Sequence, residues 1–113
     1  MNNPQDHASV DLDTARAEFE TGRAMLIDIR ESREHATGVA AGAVLIPMSE
    51  LGGRLAELPN DPAQAVFVIC NTQMRSRNVV GALRERGYVN VRYVHGGMST
   101  WAQRGWPMVA PNH

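Results

Sequence analysis

The chain of 113 residues contains no lysine, and all eleven of its basic residues are arginine. This absence excludes Schiff-base chemistry on a lysine and a lysine ligand for phosphate. The formal net charge is -1, so neither basic nor acidic residues dominate. The sequence therefore shows no electrostatic footprint for nucleic acid or for an anionic membrane surface.

Long apolar runs and paired cysteines are also missing. The longest mostly apolar stretch, residues 39–48, is far too short to span a bilayer, and the polar N-terminus has no apolar signal core. The single cysteine, Cys70, cannot form an internal disulfide, which fits a reducing compartment. We therefore expect a soluble cytoplasmic protein.

Short apolar runs alternate with helical patterns along the chain, which predicts a mainly parallel sheet covered by helices on both faces. Strands are predicted at 24–29, 43–46, 65–69 and 91–94. Helices are predicted after the capping residues Asp11, Ser32 and Ser49, over about 75–86, and around Trp101. Without a repeat or linker, residues 10–113 form one predicted domain behind a polar tail of residues 1–9.

Cys70 stands where the apolar run 65–69 ends and a polar run leads into a helical pattern. In parallel sheets, ligands bind beyond the carboxyl ends of the strands, where a helix start points its N–H groups at one spot. A sulfur in that position is favoured as the thiolate, because the N–H donors and the helix dipole stabilise negative charge. A buried structural cysteine is the alternative that position alone leaves open.

Four motifs, in order along almost the whole chain, resemble a single-domain rhodanese, a sulfurtransferase. They are Leu-Ile-Asp-Ile-Arg-Glu at 26–31, the glycines at 38 and 42 with Ile-Pro at 46–47, the loop 70–76, and Val-His-Gly-Gly at 94–97 followed by Trp101 and Gly-Trp-Pro at 105–107. The resemblance implies a three-layer α/β/α domain around a five-stranded, mainly parallel sheet. It also implies that Cys70 carries a transferable sulfur as a persulfide.

The implied activity is that of a thiosulfate sulfurtransferase. Thiosulfate or a similar sulfane donor gives its outer sulfur to Cys70, and cyanide or a thiol, including a protein thiol, then accepts it. No cofactor is expected. His7 and His113 lie in the tails while His35 and His95 are isolated in sequence, so no metal site is expected either.

The site residues follow from the same loop. The expected substrate-binding residues after Cys70 are Asn71, Thr72, Gln73, Met74, Arg75 and Ser76. Arg75 offers a guanidinium fork to an oxyanion, or else pairs with Asp28 and only holds the loop. Asp28 and Arg30, at the end of a strand, are expected to brace the site, and Ser76 is also expected to cap the helix.

One loop position departs from the family pattern Cys-x-x-Gly-x-Arg-Ser, because Gln73 occupies the place of the glycine. If that place requires a positive φ, glutamine is strained there, and replacing it with glycine should relieve the strain. The other interpretation is that the Gln73 amide donates to an oxyanion. We favour the strain interpretation from sequence alone.

Two other classes of function remain possible at this point. A phosphatase or arsenate reductase cradle needs five residues between its cysteine and arginine, whereas four separate Cys70 from Arg75. The shorter loop suits a single sulfur atom better than a tetrahedral phosphate. A non-catalytic rhodanese-like binding module would typically lack the cysteine that this chain keeps.

Overall fold

The computed structural model describes residues 8–111. Its strands are β1 (Ser9–Val10), β2 (Ala24–Asp28), β3 (Val44–Leu45), β4 (Ala65–Ile69) and β5 (Val91–Val94). Its α-helices are α1 (Leu12–Glu20), α2 (Ser32–His35), α3 (Met48–Leu51), α4 (Met74–Glu85) and α5 (Gly97–Gln103), with a 3-10 turn over Leu55–Glu57. Within this described part, no helix combines the length and apolarity needed to cross a membrane.

The five strands form one sheet in the order β1-β5-β4-β2-β3, and every neighbouring pair is parallel. The predicted parallel sheet is therefore confirmed. Only the edge strand β1, two residues long, was not among the strands predicted from the apolar pattern. Asp28 at the end of β2 is in register with Ile69 at the end of β4, so the residues that follow both strands meet at one edge.

Alternation along β4 separates two cores, as expected for successive side chains of a strand. Phe67 and Ile69 pack in a cluster with residues of α1 and α5, while Val66, Val68 and Cys70 pack in a cluster with residues of α3 and α4. The sheet therefore lies between two helical layers, which confirms the three-layer α/β/α domain. Cys70 continues the alternation and faces the α4 side.

The beginning of α1 agrees with its predicted cap, since the Thr14 N–H donates to Asp11 Oδ1 at 2.8 Å. The cap of α2 was predicted wrongly. Glu31, not Ser32, precedes the helix, because Glu31 and Glu34 form a reciprocal capping box with each other's backbone N–H groups.

The helix predicted after Ser49 is also wrong in its cap and length. Pro47 precedes α3, which ends at Leu51. The next helical segment is the 3-10 turn over Leu55–Glu57. Ser49 lies inside α3 and its hydroxyl donates to Glu31 Oε1 at 2.7 Å. The glycines at 52 and 53 interrupt the helical pattern because glycine is a poor helix former.

Candidate active site

Cys70 follows β4 directly and is 1% exposed. Its Sγ accepts a hydrogen bond from the Ser76 N–H at 3.4 Å and lies 3.3 Å from Ser76 Oγ. The Ser76 hydroxyl also lies 3.2 Å from the carbonyl oxygen of Gln73, to which it donates. When the sulfur is a thiol it donates to Oγ, and when it is a thiolate the hydroxyl can rotate and donate to the sulfur instead. The immediate contacts of Cys70 thus suit a negatively charged sulfur.

The carbonyl groups of the loop after Cys70 are turned towards the start of α5. The Met98 N–H donates to Cys70 O at 2.8 Å, and the Ser99 N–H donates to Asn71 O at 2.8 Å. Gly97, at φ +61°, lies so close that a Cβ there would overlap the carbonyl oxygens of residues 70, 71 and 72. Only glycine fits at this contact, which explains the glycine at position 97.

The N–H groups of the same peptide units point in the opposite direction, because C=O and N–H are antiparallel across a planar trans peptide. Among the described residues, none accepts a hydrogen bond from the N–H groups of residues 71–75. The N–H groups of residues 71–73 and the positive end of the twelve-residue α4 therefore lie on the side of the loop away from α5. Such an arrangement can stabilise an anionic sulfur without any side-chain charge.

Arg75 forms a two-pronged ion pair, but its partner is Glu34 and not Asp28. Its Nη1 and Nη2 donate to the two carboxylate oxygens of Glu34 at 2.7 and 2.8 Å. The Arg75 hydrogen bond lowers the pKa of Glu34 to about 2, and Glu34 in turn raises the pKa of Arg75. The expected alternative of an Arg75–Asp28 pair is thus wrong, because Asp28 has another partner.

That partner is Arg30, two residues further along the chain. Arg30 Nε donates to Asp28 Oδ1 at 3.0 Å and its Nη2 to Oδ2 at 2.8 Å, with both side chains buried. Arg30 Nη2 also donates to Gly38 O at 2.8 Å. His35 Nε2 lies 3.2 Å from Asp28 O and 3.4 Å from Asp28 Oδ1. Geometrically, this cluster ties the end of β2 to the segment around α2.

The remaining loop residues differ in exposure. Asn71, Thr72 and Met74 are exposed, while Gln73 and Arg75 are half-buried. Ser76 is fully buried as the third residue of α4 and makes no side-chain cap, so its predicted capping role is wrong. Ser76 instead contacts Cys70 Sγ through its N–H and its hydroxyl group.

Gln73 precedes α4 with φ -152° and ψ -1°. No non-glycine residue in the described part of the chain has a positive φ, so the backbone strain expected at Gln73 is absent. The loop does not need a left-handed residue at this position, so the reason for expecting glycine there does not apply. Its side-chain Oε1 accepts a hydrogen bond from the Gly96 N–H at 3.2 Å.

Sequence reasoning missed Glu34 and the close contact at Gly97. Glu34 lies 41 residues from Arg75, and no local pattern joins two such distant residues. The spacing of Glu31 and Glu34 is that of a capping box, a signal that could have located the start of α2. Of the histidines, His95 is exposed, and His7 and His113 lie outside the described residues.

Together these features define a class: a parallel α/β domain with one cysteine held in an anion-stabilising loop between a strand and a helix. The family model of the Rhodanese-like domain matches residues 11–104, which is most of the chain. The chain therefore belongs to the rhodanese-like domain family.

Individual relatives agree with this assignment. A sulfurtransferase from Allochromatium vinosum is 35% identical over 92 residues, covering 81% of this chain and 84% of the relative. The human thiosulfate:glutathione sulfurtransferase is 29% identical over 108 residues, covering 85% of this chain and 94% of the relative. The crystal structure of a rhodanese-related protein from Thermoplasma volcanium has a TM-score of 0.80 at 29% identity, covering 91% of this chain and 98% of its own. These relatives support sulfur transfer as the general activity.

Proposed function

We propose that this protein moves the outer sulfur of thiosulfate, or of a similar sulfane donor, through a persulfide on Cys70 to a thiol or cyanide. The observation that carries the proposal is the pair of contacts between Ser76 and Cys70 Sγ, beside N–H groups of residues 71–75 that have no acceptor among residues 8–111. Both favour a sulfur anion at the start of α4.

In the first step the Cys70 thiolate attacks the outer sulfur of thiosulfate. A new S–S bond forms to Cys70, the S–S bond of thiosulfate breaks, and sulfite leaves with its electron pair. The charges balance, since a thiolate and a dianion become a persulfide anion and a dianion. No general base is needed once the thiolate exists.

In the second step an acceptor thiolate or cyanide attacks the outer sulfur of the persulfide. The bond to Cys70 breaks, the Cys70 thiolate is restored, and an acceptor persulfide or thiocyanate leaves. The outer sulfur extends the side chain by about 2.05 Å from the buried Sγ, which makes it the atom that an acceptor can reach. The N–H groups of the loop stabilise its charge in the manner of an oxyanion hole.

The arginine pair disfavours phosphate ester chemistry. Both terminal nitrogens of Arg75 are engaged by Glu34, so the fork that a phosphatase would offer to phosphate is already occupied. The loop is also one residue shorter than a phosphate cradle. We assign Arg75 a supporting part in substrate binding through its positive charge, with Asp28 and Arg30 bracing the edge of the sheet.

Intact-protein mass spectrometry after incubation with thiosulfate tests the proposal. We expect the wild-type protein to gain the mass of one sulfur atom, which cyanide should remove as thiocyanate. Cys70→Ser should gain nothing, because a hydroxyl is not nucleophilic enough to take the sulfur. Equal behaviour of the two proteins would identify Cys70 as a buried structural residue and leave the domain as a binding module.

A further inference from the structure

The side chain of Gln73 takes no part in the two transfer steps, but it is fixed in place by a hydrogen bond from the Gly96 N–H. Gln73 stands in the same loop as Cys70, and its backbone carbonyl oxygen accepts from the Ser76 hydroxyl that contacts Cys70 Sγ. The backbone at φ -152° is relaxed, so strain does not account for any effect of this residue. Any effect of Gln73 on the reaction must therefore come from its side chain.

The orientation of the Gln73 amide is fixed by its partner. The Gly96 N–H at 3.2 Å can only donate, so the amide oxygen must face it and the NH₂ group must be the other end. Gly96 adjoins Gly97, where α5 is packed against the Cys70 loop without room for a Cβ. The amide is thus anchored on a rigid contact.

The NH₂ end of this amide bonds to no protein acceptor among residues 8–111. A half-buried amide with two free N–H donors is suited to an anionic oxygen, and a thiosulfate-type donor carries oxygens on its leaving sulfur. Those oxygens gain negative charge as the S–S bond breaks, so a donor held beside them favours the step.

On the basis of the proposed function, we propose that Gln73 determines which sulfur donors the protein accepts. Its free NH₂ group binds an oxygen of the leaving group, sulfite from thiosulfate or sulfinate from a thiosulfonate, and so selects these donors over sulfane donors without such oxygens. The Oε1 contact with Gly96 supplies the anchor that holds this donor in place.

Two variants test this proposal, and the first of them separates the anchor from the donor. Gln73→Glu keeps an oxygen for the Gly96 N–H and puts a negative oxygen where the NH₂ was. Gln73→Met keeps the length and neutrality of the side chain but loses both groups. The rate of sulfur uptake by Cys70 is measured by rapid-quench mass spectrometry with thiosulfate and, separately, with inorganic polysulfide, after thermal melts have established that each variant is folded.

With thiosulfate, we expect the uptake rate to fall about tenfold in Gln73→Met and further in Gln73→Glu, since a hydrogen bond to a charged group is lost and then replaced by repulsion. With polysulfide, Gln73→Met should stay within about twofold of wild type. Equal losses with both donors would overturn the proposal and leave Gln73 as an anchor only, and so would unchanged uptake from thiosulfate. A wild-type protein that takes sulfur from neither donor would instead refute the proposed function itself.

Discussion

Two arginine–carboxylate pairs lie at the carboxyl edge of the sheet, and they differ in their contact with water. The side chains of Arg30 and Asp28 are 4% and 0% exposed, whereas those of Arg75 and Glu34 are 34% and 26% exposed. Both pairs are two-pronged and have similar N–O distances. Burial, and not bond length, therefore separates their roles.

The buried pair is costly to disturb. Removing one charge leaves the other unpaired in a low-dielectric surrounding, which is strongly unfavourable. The half-exposed pair is screened by water, so the loss of one of its partners costs the fold less. We therefore expect the Asp28–Arg30 pair to matter most for stability, and the Glu34–Arg75 pair to hold the Arg75 side chain in place beside the loop.

The largest effect is expected from Asp28→Asn, which neutralises the carboxylate and leaves Arg30 buried without a counter-charge. We expect the free energy of unfolding to fall by about 3–5 kcal/mol, as is usual when one partner of a buried pair is lost. Urea unfolding measures the change. Asp13→Asn is the control, because Asp13 pairs with Arg104 on the surface and is 77% exposed.

A loss as small as that of the surface control would remove the distinction between the two pairs. It would mean that Arg30 finds enough compensation in the carbonyl oxygens of Gly38 and Glu34.

The second effect concerns activity more than stability. Arg75→Lys keeps the positive charge but cannot form two parallel bonds with Glu34, because an ammonium has no planar fork. We expect kcat/KM for thiosulfate to fall about tenfold, since the charge is no longer held in place. Steady-state kinetics checks this, with Arg54→Lys as a control on an exposed pair of similar geometry. Equal kinetics in both variants would exclude a part for Arg75 in binding the donor.

The sheet could be predicted from the sequence because its signal is local. Runs such as 65–69 are apolar and end in turn residues, so four of the five strands follow from pattern alone. The two-residue β1 could not, since its pairing with β5 depends on tertiary contact. The cap of α3 failed for a related reason, because Ser49 lies inside the helix and donates to Glu31, which is 18 residues away.

At the candidate site, the sequence located Cys70 and its loop but not the partners of its charges. The sequence left Arg75 with two possible partners, an oxyanion or Asp28. In the structure its partner is Glu34, a residue of α2. The error at Gln73 arose from assuming that the glycine of the family pattern needs a positive φ. The backbone here shows that the position tolerates a side chain, which then becomes available for contacts of its own.

The smallest expected effect is the change with pH in the stability that the Glu34–Arg75 pair contributes. Glu34 has a pKa of about 2 in the folded protein against an ordinary value of 4.5, so its pairing stabilises the fold above about pH 4.5. This contribution is lost as the pH falls towards 2, because protonation breaks the pair. Since water screens Arg75, we expect Glu34→Gln to cost only about 0.5–1 kcal/mol at pH 7. Urea unfolding of both proteins at pH 7, 4 and 2.5 should show the difference shrinking steadily towards zero.

Glu57→Gln serves as the matched control, since Arg54 also lowers the pKa of Glu57 but that side chain is 46% exposed, against 26% for Glu34. It should change stability less than Glu34→Gln at neutral pH. A difference between wild type and Glu34→Gln that is as large at pH 2.5 as at pH 7 would contradict the electrostatic account. The substitution would then act on the hydrogen bond that the Glu31 N–H donates to the side chain of residue 34. The main part of that side chain would be to cap α2.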